Sequence, residues 1–74
     1  MIQELDRVIL TTNIPEHNLE QGDLGTVVLV HRDRQGYEVE FMTLDGETVA
    51  VISLSNEQVR SIGRKEIAHV RVLS

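Results

Sequence analysis

The chain has no cysteine and no tryptophan, and its 74 residues include one phenylalanine, one tyrosine and one proline. Without cysteine there is no disulfide framework, and no thiolate to serve as a metal ligand or nucleophile. A small domain without such staples holds together by packing or through a partner. With two aromatic residues, the core has to be assembled from Val, Ile and Leu. No apolar run approaches the roughly 20 residues that span a bilayer. The start, Met1-Ile2-Gln3-Glu4-Leu5-Asp6-Arg7, has neither the basic cluster nor the apolar stretch of a secretory signal. No membrane association is expected, and a cytoplasmic location is.

Basic charge is also scarce: seven Lys and Arg stand against twelve Asp and Glu, for a net charge of −5. Phosphate contacts need Lys and Arg, so nucleic acid is not an expected partner. The charge is unevenly spread. Residues 1–57 hold three cations (Arg7, Arg32, Arg34) and carry a net −8, whereas residues 58–74 hold Arg60, Arg64, Lys65 and Arg71 against Glu66, a net +3. The ordinary fate of such a basic tail is to lie against the acidic surface of its own domain.

What is present is strand-forming sequence punctuated by turns. The length allows one domain, residues 1–74, which buries only about 60% of its unfolded surface. At 41% hydrophobic residues the chain is too apolar to be disordered. The segment Gly22-Asp23-Leu24-Gly25 opens into Thr26-Val27-Val28-Leu29-Val30. The glycine pair marks a tight turn, and the β-branched side chains that follow suit a strand. Tyr37-Glu38-Val39-Glu40-Phe41 alternates as a half-buried antiparallel strand does. Asp45-Gly46 predicts a hairpin turn with both residues at positive φ. Further strands are expected over 5–11, with Leu5, Val8 and Leu10 inward, over 25–31, over 48–54 and, closing the domain, over 67–73. Pro15 places 12–21 in a loop, with Ile14 and Leu19 tucked beneath it. Ser55 or Asn56 is positioned to cap a short helical or 3-10 turn before the last strand, with Val59 and Ile62 pointing inward from it. The predicted class is all-β, a small SH3-like barrel of about five antiparallel strands.

No arrangement of residues points to catalysis. His17, His31 and His69 fit no metal-ligand spacing, and no Ser–His–Asp set has a supporting motif. Gly22-x-x-Gly25 matches the form of a KH-domain clamp, but that clamp joins helices, and here a strand follows. A phosphate loop fails for want of a helix N-terminus. The chain is therefore expected not to be an enzyme and to need no cofactor. Glu38 and Glu40 share a strand face, with Glu47 across the Asp45-Gly46 turn; a solvated sheet face needs the same pattern, and Arg32 or Arg34 is placed to neutralise it. As candidate partner-binding residues we take this acidic set, Glu38, Glu40, Asp45 and Glu47, and the basic set Arg60, Arg64 and Lys65. The expected partner is another protein with a basic surface.

The ordered set Leu5, Val8, Leu10, Pro15, Gly22, Gly25-Thr26-Val27-Val28, Tyr37-Glu38-Val39-Glu40-Phe41, Gly46, Thr48, Ala50 and Leu54 resembles a bacterial family of unknown function, domain-of-unknown-function family 4926. The resemblance covers about residues 4–60, and the YEVEF phrase with its Gly turn and T-x-A segment is the most specific part. It implies a small cytoplasmic protein with an SH3-like barrel and no known activity. It further implies an accessory or antitoxin-like role beside a partner encoded nearby. A looser similarity to KOW-type barrels implies an alternative, RNA binding through Arg32, Arg34, Arg60, Arg64 and Lys65. A homodimer, acidic body against basic tail, is the other alternative.

Overall fold

A computed structural model describes residues 1–73. Five antiparallel strands form one open sheet: β1 (Arg7–Leu10), β2 (Leu24–Val30), β3 (Gly36–Met42), β4 (Thr48–Ser55) and β5 (Val59–Ser61). Their order is β4-β3-β2-β1-β5, so the two edges are β4 and β5. The all-β, five-stranded architecture expected from the sequence is present. The only helical pieces among the described residues are two 3-10 turns, Pro15–His17 and Asn56–Gln58.

The core lies on one face of the sheet. Val8, Leu10, Val27, Tyr37, Val39, Phe41, Leu54 and Val59 are buried there. Tyr37, Val39 and Phe41 face it at period two, as their alternation with Glu38 and Glu40 requires. The loop between β1 and β2 supplies a plug: Ile14 and Leu19 bridge to one another and are both buried. Pro15 starts the intervening 3-10 turn, and Asn18 ends it in the left-handed region at φ 62°.

The two glycines of the Gly22–Gly25 segment do different jobs. Gly22 lies at φ +97° and makes the turn. Gly25 sits inside β2, opposite Val8, where an added Cβ would come within 2.5 Å of Val39 Cγ1 and 2.8 Å of Phe41 Cε1. Its role is close packing, so the turn expected from the pair belongs to Gly22 alone.

Four other expectations are corrected. Leu5 is 79% exposed, because it occupies a positive-φ turn (φ 74°) ahead of β1 rather than the strand. In the β3–β4 hairpin, Gly46 donates to Thr43 O and only Gly46 takes positive φ, so Leu44 and Asp45 form the turn centre and Asp45 stays at negative φ. Residues 67–73 are not a strand: the free edge of β1 is taken by β5, which follows directly from the Asn56–Gln58 turn. Ile62, just past β5, points outward and is half-exposed. The turn itself is held as its sequence implies. Ser55 and Gln58 form a reciprocal capping box, with Gln58 Oε1 accepting from Ser55 N at 2.9 Å.

Candidate functional site

The acidic candidates gather on the face of β2, β3 and β4 that points away from the core. Glu40 lies opposite Thr26 and Val51, and Glu38 opposite Leu29 and Ser53. Residues directly opposite in antiparallel strands share a face. Met42, two beyond Glu40, continues the row. Leu29, Met42 and Val51 are each about half exposed (49%, 50% and 52%), so this face interleaves carboxylates with apolar side chains. A bulge in β2 puts Val27 opposite Val39 and Leu29 opposite Glu38, leaving Val28 as the extra residue. Such a bulge re-aims the strand and sharpens its twist at this point.

The carboxylates are fixed by hydrogen bonds. Glu38 Oε2 accepts from Ser53 Oγ and lies 2.6 Å from His31 Nε2. The bond from Ser53, then that from His31, holds the Glu38 carboxyl below its usual range against a small opposing effect of burial. Glu40 Oε2 accepts from Thr48 Oγ1 at 2.7 Å. Asp45 accepts from Thr43 Oγ1, and Thr43 Oγ1 in turn accepts from Glu47 N at 3.0 Å, which places both acids on the β3–β4 turn. All four acidic candidates therefore lie on β3 or the turn that follows it.

The basic candidates are elsewhere. Arg60 lies in β5, and Arg64 and Lys65 follow it, so the sheet order separates them from β4 by three intervening strands. Arg60 is engaged: its two Nη atoms donate to Glu66 at 3.0 and 2.6 Å. Those bonds, with the Gly63 N–H as a further donor, lower the Glu66 carboxyl to about 2. Arg64 and Lys65 are exposed and have no ion-pair partner among the described residues.

Neither Arg32 nor Arg34 neutralises the acidic strand face. Arg34 takes positive φ (57°) in the β2–β3 turn, and its guanidinium turns towards Met1 Sδ. His31, the residue after β2, makes the contact instead. The second pairing missed by the sequence joins the tail to the β1–β2 loop. Arg71 donates to Asp23 at 2.9 and 2.6 Å and to the Asn18 carbonyl at 3.0 Å, with Glu20 3.6 Å away. Partial burial raises the Asp23 carboxyl, but Arg71 and the Glu20 N–H outweigh it, and the net direction is down. The basic tail thus lies partly on its own acidic body, as expected, through Arg71.

Among the described residues no three His, Asp or Glu side chains converge as metal ligands. No described helix is long and apolar enough to cross a membrane. A groove open to solvent runs between Met1, Ile2, Val30, Arg34 and Tyr37, and its lining holds no carboxylate or imidazole.

Among proteins of known identity, neither the curated sequences nor the solved structures contain a match to this chain. A family match does exist, and it spans residues 4–61, from the turn before β1 to the end of β5. The whole five-stranded sheet, with its acidic face, lies inside those limits, and the tail lies outside. The chain belongs to the family described as a domain of unknown function, DUF4926.

Proposed function

We propose that this chain is a non-enzymatic protein-binding module whose outward sheet face, built around Glu38 and Glu40, docks a partner with a basic and partly apolar surface. The observation that carries this is the interleaving on that face. Two carboxylates, each held by a neighbouring hydroxyl, alternate with half-exposed Leu29, Met42 and Val51 on paired strands. Apolar area supplies affinity, and fixed charge supplies steering and register. Asp45 and Glu47 extend the negative field beyond the strand ends. The strand order, with β5 returning beside β1, supports viewing the sheet as the rolled sheet of an SH3-like barrel.

The test is capture from native cells with tagged chain, comparing the unaltered protein with the double variant Glu40→Lys, Glu47→Lys. A stoichiometric partner is expected with the first and a loss of at least about tenfold with the second, the scale of paired-charge effects at interfaces. Absence of any stoichiometric partner, or capture indifferent to the charge reversal, sinks the proposal. In the antitoxin-like form of this role, a neighbouring gene is toxic alone and tolerated with this chain. Harmless expression of every neighbour removes that form. Co-purifying RNA whose affinity falls steeply with salt points instead to the cations Arg32, Arg34, Arg60, Arg64 and Lys65.

A further inference from the structure

The sheet ends in an unguarded edge. Natural edge strands are protected by charged side chains, proline, bulges or a covering element. The eight residues of β4, Thr48-Val49-Ala50-Val51-Ile52-Ser53-Leu54-Ser55, contain no charge, no proline and no glycine. Their one irregularity is at the Met42–Thr48 end, and no described strand pairs with the outer side. On the core face, Ala50 and Ile52 are only partly covered.

The tail is the reciprocal case. Ile67, Val70 and Val72 are 93%, 68% and 89% exposed, in a β-branched segment that joins no strand ladder among the described residues. It is attached to the body by the Arg71 clamp on Asp23 and Asn18. The tail leaves the sheet from β5, which stands at the other end of the strand order from β4. Charge is complementary as well: the charged side chain of residues 67–73 is the cation Arg71, and β4 is flanked by Glu47 and Glu57 and neighboured by Glu38 and Glu40.

We infer that β4 accepts residues 67–73 of a second copy of this chain as a sixth strand, the two copies exchanging tails about a two-fold axis and each giving up its Arg71–Asp23 clamp for the new ladder. This goes beyond the docking role of the acidic face. Alternation makes the fit specific. With Ala68, Val70 and Val72 turned to the core side, they cover Ala50 and Ile52, and His69 and Arg71 then fall on the outer face beside Val51 and the Glu38–Glu40 row. A second copy's β4 is the poorer occupant, because pairing β4 with β4 would bring two acidic faces together.

The mass of the full chain in solution, followed up to hundreds of micromolar, tests this. The expected result is twice the 8.4 kDa chain mass. Deleting residues 67–74, or substituting Val51→Lys, should return it to a monomer that still unfolds cooperatively. The absence of native cysteine allows a positional check. Val51→Cys mixed with separate chains carrying Ile67→Cys, His69→Cys or Arg71→Cys, the tail positions that share its outer face, should oxidise to a mixed disulfide in at least one pair. A monomer at every concentration, a dimer that survives the deletion, or a disulfide formed by Val51→Cys chains alone would overturn the inference.

Discussion

Arg71 and Asp23, 48 positions apart, are joined by two hydrogen bonds of 2.9 and 2.6 Å, and through them the tail beyond the family-matched region is fastened to the loop that leads into β2. The pair is partly shielded, with side chains 29% and 19% exposed. The fork geometry of the guanidinium makes it stronger than an open surface pair.

In dilute, monomeric protein Arg71→Ala is expected to cost about 1 kcal/mol, a screened value for a charged hydrogen-bonded pair at a surface. Amide NMR resonances of residues 66–73 should narrow in the variant as the tail comes loose, while those of β2 and β3 keep their shifts. Because folding lowers the Asp23 carboxyl, the contribution is complete above its ordinary value of 3.8 and fades as pH falls through the lower folded value. Urea unfolding at pH 7 and near pH 3 reads this as a difference between parent and variant that shrinks in acid.

Glu66 should titrate at about 2, against an ordinary value of 4.5. Arg60→Gln removes its principal partner and should bring the carboxyl back towards 4.5. Any stabilisation from this pair is present above 4.5 and disappears as pH drops towards 2. The carboxyl carbon shift of Glu66, followed by NMR, distinguishes the two chains. A value near 4.5 in the unaltered protein would contradict the geometry.

Gly25→Ala should destabilise by about 1–3 kcal/mol, the usual range for overpacking. Its methyl group meets Val39 and Phe41 side chains in the centre of the core. Gly22→Ala should also destabilise, but through backbone strain at φ +97° in open space. The two differ in a rescue: Val39→Ala alongside Gly25→Ala should recover part of the loss, whereas Val39→Ala cannot help Gly22→Ala. Thermal unfolding of the single and double variants measures this coupling.

Leu10→Ala should cost about 2–5 kcal/mol, since a buried leucine leaves both lost transfer energy and a cavity. Leu10 is 1% exposed and is the largest of the fully buried side chains. In a domain this small such a loss is a large share of total stability. Chemical denaturation should show a markedly lower midpoint.

The sheet was legible in the sequence wherever period-two alternation met a short turn. Tyr37 to Phe41 and the capped Asn56–Gln58 turn follow from local chemistry, and the structure keeps them, whereas the β3–β4 hairpin is kept with its turn centred one residue earlier than expected. The acidic row was legible for the same reason, because residues two apart on a strand share a face. Pairings between distant segments were not. Glu38 with His31 depends on the bulge in β2, which no local pattern marks, and Arg71 with Asp23 depends on the course of the tail. The segment 67–73 misled because β-branched composition reports a capacity to pair, whereas pairing needs a vacant edge, and β5 already holds the one on β1.

The position of β1 between β2 and β5 bears on the order of assembly. The β2–β3 and β3–β4 ladders are hairpins between neighbours in sequence, but Val8 is opposite Ser61. Early contacts are therefore local, and the final ladder closes a loop of nearly the whole domain, a topology that slows folding. During synthesis the first strand must wait for almost the last residue of the sheet. A chain interrupted before Ser61 would keep one side of β1 unpaired, so translation stalls late in this short message should yield protease-sensitive products.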